Sequence, residues 1–181
     1  MKTILSSPLA TVHTLVLLDA ALPELPLLLG GLEAGCQALP VSPDQDALTL
    51  LAAAVRTASQ QGQLSPHWRL AVVAHGSPGQ VTIGSEPLNA TSVQARSAAW
   101  RALAPTAIDL FSCFAGVDGS LASALAATCG ASVHASAGVV GHSSVGGELG
   151  AGGAERSGSR QFSGALQQGG GGGVGVWVGI G

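Results

Sequence analysis

The chain has 181 residues, a length that suits one folded domain with a short appendage and leaves no room for two full-sized cores. Hydrophobic residues make up 46% of the chain and charged residues only 9%, so disorder over most of the length is excluded. A net charge of −3 removes the basic surface that a nucleic-acid-binding protein needs, and we expect no nucleic-acid partner.

The N-terminal part of the sequence predicts neither a membrane span nor a secretion signal. The longest apolar stretch, residues 15–31, contains two prolines and two acidic residues, whereas a spanning helix needs about 20 predominantly apolar residues. Polar residues within positions 6–13 interrupt the apolar block that a Sec-type signal peptide requires. The three cysteines, Cys36, Cys113 and Cys129, contain no Cys-x-x-Cys pair, so we expect neither a disulfide framework nor a thiolate zinc site.

Short apolar runs alternate with longer amphipathic ones, a pattern typical of strands joined by helices. The predicted strands, in chain order, are residues 14–19 (TLVLLD), 36–41, 69–75 (RLAVVAH), 107–113 (AIDLFSC) and 131–137. The predicted helices are residues 24–34, 46–63 with Asp46 as its cap, 89–103 capped by Asn89 or Thr91, and 119–128. Residues 80–89 predict a small β-hairpin. Strands separated by helices indicate a mainly parallel sheet with helices on both faces, a three-layer α/β sandwich.

The chain becomes rich in glycine and serine toward its C-terminus. Residues 146–163 hold few large apolar side chains and predict a loop, while residues 174–180 (VGVWVGI) have strand character. We therefore divide the chain into an α/β domain at residues 1–150 and a Gly-rich segment at residues 151–181. Within that segment, an edge strand at 174–180 and an irregular tail are both open interpretations, because glycine weakens strands and termini fray.

Two chemically capable side chains close neighbouring predicted strands. His75 ends the third strand and Cys113 ends the fourth, and ligand sites of open α/β sheets lie beyond the carboxyl ends of the strands. Consecutive βαβ strands are usually neighbours, so imidazole and thiol should project from one edge. A cysteine thiolate can attack a peptide carbonyl while the imidazole protonates the leaving amine. The backbone N–H groups of Gly76 and Cys113 are candidate oxyanion donors.

At these residues the sequence resembles a known family. The segments AHGSPGQVTIGSEPLN (residues 74–89), IDLFSCFAG (108–116) and GASVHASAGVVG (130–141) are similar to the caspase-like cysteine peptidases, the clan of caspases, legumain, gingipains and the self-cleaving domains of RTX toxins. They resemble most closely the caspase-like domain near the N-termini of very large bacterial surface and RTX-type proteins. The likeness covers residues 14–150.

The resemblance implies a caspase-like sheet of flavodoxin-like strand order and a His75–Cys113 dyad. It also implies a cysteine endopeptidase or self-processing domain that needs no cofactor and acts on a peptide or protein, including its own chain. A secreted or cell-surface location, reached without an ordinary signal peptide, fits the same family. An Asp commonly follows the cysteine in that family, whereas Phe114 does here, so substrate-facing details are not carried over.

Further residues flank the predicted dyad, and Ser77, Ser112, Phe114 and His142 are candidates for the rim that faces a substrate. A metal site of His75, Cys113 and His142 is disfavoured because no two of these ligands lie close together in the sequence, and we expect no metal.

We expect structural rather than catalytic roles for His134, Cys36 and Cys129. His134 lies within a strand and is expected to line a face of the sheet or the core, and Cys36 and Cys129 are expected to be small buried hydrophobes. The low charge also favours an alternative function, a catalytically silent caspase-like module with a secretion or adhesion role in a larger assembly.

Overall fold

A computed structural model describes residues 10–138, 140–142 and 177–180 of the chain. The first half of the described chain contains, in order, β1 (Val12–Asp19), α1 (Leu25–Gly30), β2 (Cys36–Val41), α2 (Ala47–Gln60), β3 (Leu64–Val73), β4 (His75–Ser77), β5 (Gln80–Thr82) and β6 (Leu88–Asn89). The second half contains α3 (Ala90–Ala95), α4 (Ser97–Leu103), β7 (Ala107–Phe111), α5 (Ser120–Cys129), β8 (Ser132–Ala135), β9 (Val140–His142) and β10 (Trp177–Ile180).

The central sheet has five strands in the order β2-β1-β3-β7-β8. All four neighbouring pairs are parallel, as expected for strands joined by helical crossovers. Counted along the chain within this sheet, the order is 2-1-3-4-5, the flavodoxin-like arrangement. The predicted α/β class, with a mainly parallel sheet between helices, is confirmed.

The two faces of this sheet are covered unequally. On one face, here called the four-helix face, α2 to α5 bury the larger core cluster, which includes Leu15, Leu17, Leu70 and Val72. The opposite face, here called the α1 face, is covered by α1 and its flanking loops, and its core residues are Val16, Leu18, Leu22, Leu28, Ala71 and Val73. Since successive strand residues point to opposite faces and both are buried, the strands carry the unbroken apolar runs seen in the sequence.

The ends of the helices depend partly on local sequence and partly on tertiary contacts. Asp46 caps α2 as predicted, its Oδ1 accepting from the Thr49 N–H at 2.6 Å. Asn89 caps α3 through a reciprocal pair of hydrogen bonds with Ser92. The helix predicted over residues 89–103 is broken at Arg96, which leaves the helical conformation while its guanidinium bonds to the Asp46 carboxylate. The predicted single helix is therefore two helices, and the break lies at a residue whose side chain pairs with the distant Asp46.

The strand ends near His75 and Cys113 differ by two residues from the prediction. β3 ends at Val73 and β7 at Phe111, so each candidate residue lies two positions beyond the end of its strand. His75 instead begins β4, which forms a small antiparallel sheet with β5 and β6. The hairpin predicted at residues 80–89 thus has a third strand, and that strand carries the candidate histidine.

The remaining strands lie toward the C-terminus. β9 and β10 form a separate two-stranded antiparallel sheet, so the strand found inside the predicted range 174–180 pairs with β9 and is not an edge of the central sheet. The loop predicted at residues 146–163 and the boundary placed at residue 150 lie outside the described residues. In the part of the chain that the structure describes, no helix is long and apolar enough to cross a membrane.

Candidate active site

The candidate histidine and cysteine follow two adjacent strands in matching register. The last paired residues of β3 and β7 are Val73 and Phe111, and the Ala74 N–H continues toward the Phe111 carbonyl at 3.4 Å. His75 and Cys113 each stand two residues beyond that pair. The predicted placement of both at the carboxyl edge of neighbouring strands therefore agrees with the backbone.

The backbone after His75 lies directly against the backbone of Cys113. A Cβ atom placed on Gly76 would be only 2.6 Å from the Cys113 carbonyl oxygen and 2.8 Å from the Ser112 Cβ. Real side chains do not tolerate such distances, so glycine is required at this position by close approach. The AHG segment and the SC segment are consequently in van der Waals contact.

A second contact joins the hairpin that carries His75 to the loop that follows Cys113. Pro78 and Gly79 form the two-residue turn between β4 and β5, with Gly79 at φ +69° as a turn of this kind needs. A Cβ on Gly79 would lie 2.5 Å from Oδ2 of Asp118. Hydrogen bonds from the N–H and hydroxyl of Ser120 hold the pKa of Asp118 below its usual range, so this carboxylate stays ionised beside the turn.

The loop after Cys113 is also tied to the segment that links β8 and β9. The Phe114 N–H donates to the Gly138 carbonyl at 2.9 Å, and the Gly116 N–H donates to the Ser136 carbonyl at 2.8 Å. The Cys113 thiol lies 3.8 Å from the Val140 carbonyl oxygen of β9. Three segments, residues 75–79, 113–118 and 136–138, therefore meet at the carboxyl edge of the sheet, and we call them the rim.

The rim residues predicted from sequence have different environments. His75, Ser77 and Phe114 are exposed, and Cys113 is partly exposed. Ser112 is not on the rim, since it is only 1% exposed and faces the core because it continues the inward alternation of Leu110. Within the described residues its Oγ has no hydrogen-bond partner.

Other parts of the predicted site concern ligands. His142 ends β9, and its side chain lies outside what the structure describes. Among the described residues, no group of three or more His, Cys, Asp or Glu side chains is arranged to hold a metal ion.

The two other cysteines, expected to be buried, are only partly buried. Burial raises the pKa of Cys36, which packs against the cluster on the α1 face, and burial also raises the pKa of Cys129. The Cys129 thiol lies 3.5 Å from the Trp100 carbonyl oxygen. Because the thiolate is the reactive form, both are weak nucleophiles near neutral pH.

Sequence reasoning missed a polar cluster on the α1 face, formed by Arg69, Asp109 and His134 and here called the Asp109 cluster. Asp109 is 3% exposed and accepts from Arg69 Nη2 at 2.8 Å, while its other oxygen lies 3.0 Å from Nδ1 of His134. The three residues sit on the adjacent strands β3, β7 and β8, and Asp109 and His134 are register partners. His134 lines a face of the sheet, one of the two expected positions, and an Asp inside the apolar run IDLF was the available signal.

A small cavity of about 40 Å³ lies on the four-helix face. Leu17, Ile83 and Trp100 line its apolar wall, and Asp46 and Arg96 supply the polar side. Its volume suits one or a few water molecules and is too small for a peptide side chain.

A comparison with protein families matches residues 15–166 to a family described as "Domain of unknown function (DUF4347)". The chain belongs to the DUF4347 family. The match covers the central sheet except the first three residues of β1, includes all three rim segments, and extends past residue 150, where we place the end of the α/β domain. No curated protein and no solved structure matches this DUF4347 chain.

Proposed function

We propose that this DUF4347 domain is a caspase-like cysteine endopeptidase or self-processing domain, in which Cys113 is the nucleophile and His75 the general acid and base. The observation that carries this proposal is the contact of Gly76 with the backbone of Cys113, which joins the histidine segment to the cysteine segment at one sheet edge. Ligand sites of open α/β sheets lie at this edge.

The chemistry divides between the two side chains and the backbone. Cys113 gives its proton to His75, and the thiolate attacks the carbonyl carbon of the scissile peptide bond. The C–N bond then breaks, His75 returns the proton to the leaving amine, and a thioester remains on Cys113. Water next attacks the thioester with His75 as base, which releases the carboxylate product and restores the thiol.

The proposal takes the donors for the oxyanion of the intermediate from the backbone, at Gly76 and Cys113. In the hairpin closed by Pro78 and Gly79, Ser77 and Gln80 form the hydrogen-bonded pair, so Gly76 and Val81 form the next, non-hydrogen-bonded pair. The Gly76 N–H consequently points away from β5. With the N–H of Cys113, which lies 3.0 Å from the Cβ position of Gly76, it supplies the two donors that this proposal needs.

The decisive experiment compares the wild type with Cys113→Ala, His75→Ala and the double variant. The measurements are cleavage of peptide libraries and of the chain itself, with and without calcium, together with thermal melts. We expect each single substitution to abolish cleavage and the double to be no worse, because both groups serve the same step. Cys129→Ala is the matched control and should retain activity, since its thiol lies away from the rim.

A substitution at Gly76 tests the contact between Gly76 and the Cys113 backbone without changing the side chain of His75 or Cys113. Gly76→Ala places a methyl group 2.6 Å from the Cys113 carbonyl oxygen, whereas Gly30→Ala meets nothing within 4 Å. We expect Gly76→Ala to abolish cleavage and Gly30→Ala to leave it unchanged. Full activity of Gly76→Ala would contradict the proposal.

Exposed apolar side chains favour a second candidate, the catalytically silent module of a surface or secreted assembly. Leu27 and Leu29 on α1 and Val117 on the rim are large hydrophobic residues with substantial exposure, as on a surface that another chain covers. Alkylation by iodoacetamide separates the two candidates. If Cys113 reacts no faster than free cysteine, nothing is cleaved and Cys113→Ala melts at a much lower temperature, the silent module replaces the peptidase.

A further inference from the structure

Two large apolar side chains stand exposed on the loop that begins with Cys113. Phe114 is 38% exposed and Val117 is 52% exposed, and the Val117 N–H donates to the Phe114 carbonyl at 3.1 Å. We call these two residues the apolar shelf. Neither belongs to the core cluster of either sheet face, so their position contributes little to the stability of the fold.

The backbone holds Phe114 in an unfavourable conformation. Its φ is +57°, in the left-handed region that glycine or asparagine adopts readily and an aromatic residue does not, at a cost on the order of 1 kcal/mol or more. The hydrogen bond from its N–H to the Gly138 carbonyl fixes it there. The loop therefore has a strained backbone next to the candidate nucleophile, at a residue that belongs to neither core cluster.

The rim has too few charged side chains to bind a ligand mainly through ion pairs. Among residues 75–79, 113–118 and 136–138, all of which the structure describes, Asp118 is the one side chain with a formal charge when His75 is neutral. Its Oδ1 already accepts two hydrogen bonds from Ser120, and its Oδ2 faces the turn at Gly79. The surface left for a ligand beside Cys113 is predominantly apolar.

We propose that the apolar shelf binds an apolar side chain adjacent to the scissile bond, so that the substrates are peptides with Leu, Ile, Val or Phe beside the cleaved bond. This inference rests on the proposed peptidase function and names its substrate class. Contact between hydrophobic side chains at a partly exposed site gives a selectivity of about tenfold. Phe114 is then a specificity-determining residue rather than a catalytic one.

The test separates binding from cleavage, so that it does not depend on the domain being active. An array of octapeptides, each with one fixed residue in an otherwise mixed sequence, is probed with the full chain carrying Cys113→Ser. The same array is probed with Cys113→Ser combined with Phe114→Asn, with Phe114→Leu or with Leu29→Asn. Asparagine tolerates the left-handed conformation, so Phe114→Asn should fold with unchanged or slightly raised stability. Leu29 is the matched control, because at 40% its exposure equals that of Phe114 within two percentage points but it lies on α1.

We expect Cys113→Ser to retain peptides with a fixed apolar residue about tenfold better than those with Asp, Lys or Ser. Phe114→Asn should abolish this preference, while Phe114→Leu and Leu29→Asn should preserve it. With the active chain, the same preference should appear in kcat/KM for cleavage. Apolar binding that depends on Phe114, with no cleavage by the chain that keeps Cys113, would refute the peptidase and with it the assignment of a substrate, and would leave the shelf as a peptide-binding surface only. If Phe114→Asn cleaves peptides with the same residue preference as the wild type, the proposed role of the shelf is refuted and the proposed peptidase function is not. An array that shows no preference for apolar residues would also refute the role of the shelf.

Discussion

The four-helix face and the α1 face of the central sheet are both buried, but by layers of different thickness. Four helices cover the first face and form one continuous apolar cluster, whereas the second is covered mainly by the six residues of α1. The Asp109 cluster lies on the second face, and its carboxylate interrupts the apolar run of β7. On the second face the Asp109 carboxylate accepts hydrogen bonds from two neighbouring side chains, which offsets the cost of removing it from water.

The largest expected effect compares two adjacent residues of β1 that point to opposite faces. Leu17 belongs to the cluster on the four-helix face and Leu18 to the cluster on the α1 face, and both are buried. We expect Leu17→Ala to lower the free energy of unfolding by about 4 kcal/mol and Leu18→Ala by about 2 kcal/mol, since the thinner layer collapses more easily around the cavity. Chemical denaturation of both variants measures the difference, and equal losses would show that the faces are equally rigid.

The next effect concerns the buried carboxylate of the α1 face. Asp109→Ala removes the acceptor for both Arg69 and His134, and we expect a loss of about 3 kcal/mol in the free energy of unfolding. Asp44→Ala, at an exposed position in the turn before α2, is the control and should change stability by less than about 0.5 kcal/mol. A stability of Asp109→Ala equal to that of the control would mean that the cluster does not stabilise this face.

The smallest effect concerns the polar edge of the four-helix face, where Arg96 holds the pKa of Asp46 below its usual range. Asp46→Ala should cost about 1 kcal/mol at pH 7, through loss of the helix cap and of a partly exposed ion pair. Asp46→Asn keeps a capping oxygen and should cost less.

The pH dependence of this effect has a definite sign. Because the pKa of Asp46 is lower in the folded state, its ionised form stabilises the fold above the pKa of the unfolded chain, about 3.9. That stabilisation is lost as the pH falls through the folded value. The difference between wild type and Asp46→Ala in urea unfolding should therefore shrink below about pH 4, and a difference that grows on acidification would exclude the ion pair as its source.

Local sequence patterns predicted most of the strands and helices of this domain. Strands that are buried on both faces of the sheet have continuous apolar runs, and helix caps depend on residues only a few positions apart. β2 lies at the predicted residues, and the strands that precede His75 and Cys113 end within two residues of the prediction, although β3 begins at Leu64, five residues earlier than predicted. The break at Arg96 was not predictable locally, since its partner Asp46 is 50 positions away.

The details of the candidate site depended on contacts between strands. The Asp109 cluster could be predicted only from the order of the strands, which places β3 and β8 on either side of β7. The burial of Ser112 could be predicted only from the phase of its strand, which decides the face toward which the side chain points. The contact of Gly76 with Cys113 likewise follows from a register that periodicity alone does not supply. The pairing of His75 with Cys113 as a catalytic dyad stays a prediction.

The hydrogen bond from Phe114 to Gly138 has a consequence for the newly made chain. Translation proceeds from the N-terminus, so His75 leaves the ribosome before Cys113, and Gly138 leaves after both. The loop that begins at Cys113 cannot take its final form until Gly138 has emerged and β8 has joined the sheet. The order of synthesis thus makes the rim the last part of the carboxyl edge to be completed, after the residues that flank it have been made.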